Sequence, residues 1–144
     1  MRATYKAIAH AIAACVVLQA TWIALSTFIL IGDLDDGKVI DKNYDGNFAN
    51  SLHGIFGMLV IPLLAIALLI VSFLAKIPGG SKWAGFVFLA VVCQILLGFF
   101  SFAVPALGAL HGINAFIVLG LSLYAGRRIA GAPSVTVQPE SATV

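Results

Sequence analysis

Charged residues are scarce in this chain, and few of them interrupt its apolar stretches. Only 10% of the 144 residues are charged, whereas 61% are hydrophobic. A soluble domain averages about a quarter charged residues, and so small a core could not hide this much apolar surface. The composition therefore excludes an ordinary water-soluble domain. The few basic residues form no clustered patch, which argues against nucleic-acid binding, and we predict a protein of the lipid bilayer.

Cysteine is also rare, and the sequence contains no Cys-x-x-Cys-His motif. The 2 cysteines, Cys15 and Cys93, lie inside apolar stretches. We expect small packing residues there and no structural disulfide. The missing motif excludes a heme attached through thioether bonds, so any heme would be of the b type or a close relative.

The apolar residues form four blocks, each close to the roughly 20 residues that a helix needs to cross the hydrocarbon. They lack the alternation of barrel strands, so they indicate helices. We predict an all-α bundle of four transmembrane helices within residues 1–130, followed by a disordered cytoplasmic tail over 131–144. The predicted spans are residues 7–31, 53–75, 83–104 and 107–126, with an outer loop over 32–52.

The distribution of charge predicts the orientation of the bundle. Lys and Arg concentrate in short cytoplasmic segments. They flank the first span, the link between the second and third, and the end of the fourth, whereas the loop over 32–52 is rich in Asp. We therefore expect both termini in the cytoplasm and a multi-pass location in the cell inner (plasma) membrane. The basic residues concerned are Arg2, Lys6, Lys76, Lys82, Arg127 and Arg128.

The two halves of the chain carry the same signals in the same order. Val-Val-x-Gln ends at Gln19 in the first span and at Gln94 in the third, and Leu-His-Gly-Ile surrounds His53 and His111. This pattern predicts two parallel helical-hairpin repeats related by an axis along the membrane normal. The glutamines either form interhelical hydrogen bonds or bind a water or substrate.

His53 and His111 are the candidate metal ligands. In an up-down-up-down bundle the second and fourth helices are diagonal, so inward-facing histidines at one depth would face each other. Zinc takes three or four protein ligands, whereas heme iron needs two axial ones. We predict one heme b per chain, against the simpler interpretation of interfacial histidines. His10 has no repeat partner, and we interpret it as interfacial unless another chain completes a second site.

Small residues near these histidines could admit a flat macrocycle, although they also mediate ordinary helix packing. The candidates for packing against heme are Gly54, Gly57, Gly98 and Gly112.

The outer loop carries a weaker metal signal. Asp41, Asn43 and Asp45 match positions one, three and five of a calcium loop, but Leu52 stands where the twelfth-position acid is expected. An acidic, solvated turn is the alternative. Lys38 and Lys42 could instead pair with heme propionates at this face.

The segment over 91–115, with its Gln-x-x-x-Gly and Ala-Leu-His, resembles heme A synthases, and the chain as a whole resembles one four-helix half of that family. It is similar in plan to small four-helix membrane b-type cytochromes. The resemblance implies that His53 and His111 are axial heme ligands. The chain differs from the family at Asn50, where a glutamate is expected, and at Gly54 and Gly112, where arginine usually follows histidine; the family's outer-loop cysteine pair is also missing.

Three functions remain open from the sequence. The first is a bis-histidine cytochrome transferring electrons near the outer face, with a quinone or a redox protein as partner. The second is a non-enzymatic accessory subunit of a larger membrane complex. The third is a heme-modifying enzyme similar to heme A synthase that acts as a homodimer.

Overall fold

The computed structural model describes residues 1–128, and this part of the chain is helical with no strand. Its 4 long helices are apolar enough to cross a membrane, which confirms the all-α, multi-pass prediction. The predicted tail over 131–144 lies outside the described residues. The helices are α1 (Arg2–Asp35), α2 (Phe48–Leu74), α3 (Gly80–Ser101) and α4 (Ala106–Arg127).

The helices pack in a ring in which α1 and α3 each contact both α2 and α4. The connections over 75–79 and 102–105 are too short for anything but antiparallel neighbours. Left-handed backbone at Lys76 and Gly79 closes the first of these turns. Helices α2 and α4 therefore lie diagonally across the bundle.

Helix α2 contains a π-helical turn over Phe56–Val60, between α-helical segments Phe48–Ile55 and Ile61–Leu74. Pro62 lies two positions after this turn, and it has no N–H to donate to the carbonyl four residues earlier. The wider π-helical turn accommodates the loss of the main-chain hydrogen bond that Pro62 cannot donate. The π-helical turn adds one residue to the helix. It therefore also changes the direction in which the side chain of His53, one turn earlier, points from the helix.

Fully buried apolar side chains concentrate at the end of the bundle that carries Met1 and Arg128. Among the largest are Tyr5, Ile12, Leu68, Val87 and Val118, each at most 1% exposed. Beyond Gln19 in α1 and before Ile61 in α2, the only buried residues are Ser26 and Ala49. Fewer side chains are therefore fully buried at the other end of the bundle.

Large apolar side chains cover the outside of the bundle. Phe28, Phe73, Phe99 and Phe116 are each at least 65% exposed in the isolated chain. Contact with lipid tails removes such surface from water, which accords with the predicted bilayer contact.

The outer connection is shorter than the predicted loop over 32–52. Helix α1 continues to Asp35, and α2 already begins at Phe48. The early start has a local cause, because the side chain of Asn47 caps α2 by accepting a hydrogen bond from the Asn50 N–H at 3.1 Å. The Asn47 amide also donates to the Ser26 carbonyl at 3.1 Å, which fixes the loop to α1.

Replacing Asn47 with alanine is expected to destabilise the fold by about 1 kcal/mol or more, since an N-cap and a bond between helices are lost together. Thermal unfolding in detergent, followed by circular dichroism, measures the effect. Asn43→Ala is the matched control, because Asn43 bonds only within its own turn. Equal stability of the two variants would refute the role assigned to Asn47.

Candidate functional site

His53 and His111 lie close together in the interior of the bundle. They come from the diagonal helices α2 and α4, and their ring centroids are 6.3 Å apart with an angle of 60° between the ring planes. Both rings are half-buried. Two imidazoles from separate helices thus share one site.

The spacing of the two rings matches the spacing that one shared metal ion requires. An imidazole nitrogen binds a metal at about 2.0 Å, and that nitrogen lies about 1.15 Å from its ring centre. A roughly linear nitrogen–metal–nitrogen arrangement therefore places the ring centres about 6.3 Å apart. The observed centroid distance of 6.3 Å is of this size, although Nε2 of His111 is bonded to the Gln94 amide at 3.1 Å in this structure.

A main-chain carbonyl selects the tautomer of each neutral imidazole ring. The Nδ1 atom of His53 lies 3.2 Å from the carbonyl oxygen of Gln19, and the Nδ1 atom of His111 lies 2.9 Å from that of Gln94. Since a carbonyl oxygen only accepts, each Nδ1 must carry the proton. Each Nε2 then keeps its lone pair, which is the arrangement typical of metal-binding histidines.

The glutamine side chains behave differently in the two halves. The Gln19 amide donates to the main-chain carbonyl of His53 at 3.0 Å, and the buried Oε1 of Gln19 has no partner within residues 1–128. The Gln94 amide instead lies 3.1 Å from Nε2 of His111. Because that Nε2 is an acceptor, Gln94 donates to it.

Asn114 completes the network in the second half. Its side-chain amide donates to Oε1 of Gln94 at 2.7 Å and to the carbonyl of Ala90 at 2.9 Å. Asn114 is 8% exposed, so both bonds lie in the interior. The sequence analysis missed this residue, although a polar side chain three positions after His111 shares the face of that histidine.

Two of the four candidate glycines contact the site. A Cβ atom on Gly98 would lie 3.0 Å from the His111 ring, and one on Gly57 would lie 3.0 Å from Nε2 of Gln19. The other two, Gly54 and Gly112, are exposed, and a Cβ on either would meet no atom within 4 Å. Gly98 thus admits the ring of His111, and Gly57 admits the side chain of Gln19.

His10 lies far from this site. It precedes Gln19 by nine positions in α1, which is about 14 Å along a helix at 1.5 Å per residue. Its ring packs against Gly126, where a Cβ would lie 2.9 Å from the imidazole. The neighbouring helix end carries Arg128 over the rings of Trp83 and Tyr124.

The calcium candidates form a closed local turn. The Asp41 carboxylate accepts from the main-chain N–H of Asn43 at 2.8 Å and from its side-chain amide at 3.3 Å. Within residues 1–128, no three His, Cys, Asp or Glu residues form a group able to hold a metal ion. Asp45 lines the same surface depression as Asp41 and Asn43.

The lysines predicted to contact propionates lie in the outer connection. Lys38 is paired with Asp33 at 2.6 Å, and this hydrogen bond and charge raise the pKa of Lys38. The same carboxylate accepts from the Tyr44 hydroxyl at 2.8 Å, which raises the pKa of Tyr44. Lys38 therefore already pairs with an acid, and both Lys38 and Lys42 are exposed.

Comparison of the chain with protein-family models, with curated proteins and with solved structures finds no match. The function of this site is therefore inferred from its geometry and chemistry.

Proposed function

We propose that this chain is a membrane cytochrome that holds one heme b between His53 and His111 and transfers single electrons. The observation that carries the proposal is the 6.3 Å separation of the two ring centroids. A heme bound by two imidazoles supplies one-electron chemistry. The protein would supply the two ligands, their orientation and an apolar surrounding.

The donor set and its support fit this cofactor. Each imidazole gives its Nδ1 proton to a carbonyl, so each Nε2 carries the lone pair that would bind iron, and at His111 that bond would replace the one from the Gln94 amide. The site has two imidazoles and no third ligand of the kind that zinc requires, as far as residues 1–128 are concerned.

The location of the pair supports a position near the outer surface. His53 follows the N-cap of α2 by six residues, which is about 9 Å along the helix. The basic residues outside the acidic connection flank the opposite end of the bundle, as expected for cytoplasmic termini in the inner membrane. A heme at this depth would exchange electrons with a quinone or with a redox protein on the outer side.

Titration of the detergent-solubilised chain with hemin tests the proposal. We expect saturation at one heme per chain, a low-spin Soret band when oxidised, and sharp α and β bands after reduction. Electron paramagnetic resonance should show a low-spin ferric signal. A folded chain that leaves hemin unbound would contradict the proposal and favour an accessory subunit without a cofactor.

A further inference from the structure

Basic residues gather at the end of the bundle that carries Met1 and Arg128, and no carboxylate balances them there. Within residues 1–128 every acidic residue is an Asp between positions 33 and 45, at the opposite end. The only ion pair in this part of the chain, Lys38 with Asp33, also lies at that opposite end. Uncompensated positive charge attracts anions. The basic residues concerned are Arg2, Lys6, Lys76, Lys82, Arg127 and Arg128.

Three aromatic rings form a row at this end, and a cation lies beside each end of the row. The ring centroid of Trp83 lies 5.5 Å from that of Phe86 in α3 and 4.3 Å from that of Tyr124 in α4. The guanidinium carbon of Arg128 lies 5.9 Å from the Trp83 centroid and 5.8 Å from the Tyr124 centroid. The Nζ atom of Lys82 lies 5.8 Å from the Phe86 centroid. Attraction between the cations and the ring faces holds both cations beside the row.

Arg128 keeps its hydrogen-bonding capacity in this position. A planar guanidinium presents its N–H groups in a fork that matches two oxygens of a phosphate. Within residues 1–128 this side chain pairs with no carboxylate, and both Arg128 and Lys82 are exposed. Nη1 of Arg128 also lies 3.7 Å from the position that a Cβ on Gly79 would take, so the turn between α2 and α3 borders the guanidinium. The aromatic row therefore positions two cations whose N–H groups can bind an anion.

The aromatic row lies at the ends of two apolar spans, which is the level of lipid headgroups. Trp83 is in the first turn of α3, and Tyr124 is in the last turn of α4. Phe86 and Leu89 continue along α3 toward the middle of the span, and both are exposed. A phospholipid at this position meets cations at its phosphate and apolar side chains along its acyl chains. A free phosphate meets only the cations.

We propose that Arg128 and Lys82 bind the headgroup phosphate of a phospholipid that carries a net negative charge. The proposal is independent of the heme site. The phosphate oxygens accept from the guanidinium and the ammonium, and the acyl chains lie along Phe86 and Leu89. A zwitterionic phospholipid brings an ammonium group as well. Within residues 1–128 this end of the bundle offers that group no carboxylate, and the two cations of the protein already occupy ring faces that attract ammonium.

Quenching of Trp83 fluorescence by brominated lipids tests the proposal. Trp22→Phe leaves Trp83 as the only tryptophan and keeps an aromatic ring against Phe56. This parent chain is placed in vesicles of equal parts phosphatidylglycerol and phosphatidylcholine, with bromine on the acyl chains of one lipid or of the other. The two vesicle sets have the same surface charge, so the lipid in contact with Trp83 determines the quenching. We expect phosphatidylglycerol to be favoured there about fivefold, the effect of one basic contact with an anionic lipid.

Arg128→Gln should bring this preference close to equality, since it removes the guanidinium that contacts the rings. Arg127→Gln is the matched control. It removes the same charge from the neighbouring position, about 100° around the helix, and should keep the preference of the parent chain. Circular dichroism must show that the variants remain helical. Native mass spectrometry of the wild-type chain, purified with both lipids, is a second measurement that needs no substitution, and it should show retained phosphatidylglycerol.

Three outcomes would overturn the proposal. The first is equal quenching of the parent chain by the two brominated lipids, together with no retained phosphatidylglycerol in the mass spectrum. The second is an equal loss of preference in Arg127→Gln and Arg128→Gln, which would indicate diffuse attraction to the basic end. The third is loss of the preference on addition of inorganic phosphate, which would assign the site to a soluble anion. Hemin binding is unaffected by any of them.

Discussion

Replacing either His53 or His111 with alanine is expected to lower the affinity for hemin at least about a hundredfold, since loss of an outer-shell partner alone costs about 10- to 100-fold. The two rings are the only imidazoles in the described chain close enough to share one ion, at 6.3 Å between centroids. Any hemin that still binds should be high-spin, because one axial position is then open. Hemin titration and the optical spectrum measure both effects.

His10→Ala is the control for this pair. It removes the third histidine of the sequence, which packs against Gly126 at the other end of the bundle. Its hemin affinity and Soret band should match the wild type. Circular dichroism must show that all three variants remain helical. If His10→Ala loses hemin as strongly as His53→Ala does, binding is nonspecific and the assigned ligands are wrong.

The four helices could be predicted from the sequence because each is encoded by one long, continuous apolar block. Each block reaches roughly the 20 residues needed to cross a bilayer, and no soluble alternative hides that much apolar surface. The predicted helix boundaries were less accurate where a single side chain determines the end of a helix. Asn47 starts α2 five residues before the predicted span because it caps the helix.

The approach of the two histidines could be anticipated only through the repeated Leu-His-Gly-Ile. Periodicity alone does not give the direction of His53, because the π-turn over Phe56–Val60 rotates the helix segment that carries it. A proline predicts a kink, but whether the helix widens or bends depends on its neighbours. The 6.3 Å separation of the rings is therefore a tertiary result.

The matching motifs also could not predict that the two glutamine side chains have different hydrogen-bond partners. Gln19 and Gln94 each end a Val-Val-x-Gln motif, yet their side chains have different partners. The cause lies outside the motifs: Gly57 leaves room for the Gln19 amide beside α2, and Asn114 holds Gln94 toward His111. A local pattern specifies where a polar side chain sits in a helix, and the facing helices specify what it bonds.

Gly98→Val is expected to reduce the affinity for hemin about 10- to 100-fold without removing either ligand, which is the range for loss of an outer-shell partner. A Cβ at this position would lie 3.0 Å from Cε1 and 3.1 Å from Nδ1 of His111. The ring must move away, and it then loses its bond to the Gln94 carbonyl, now 2.9 Å long. Hemin titration measures the loss.

Gly112→Val makes the same substitution on the residue next to His111, where a Cβ would meet no atom within 4 Å. Both variants change the helix propensity of the chain equally, since both place valine where glycine stood. Only the variant at Gly98 places atoms against the imidazole. We therefore expect Gly112→Val to bind hemin with nearly wild-type affinity. Equal losses in the two variants would mean that valine disturbs the bundle generally, and that Gly98 does not position His111.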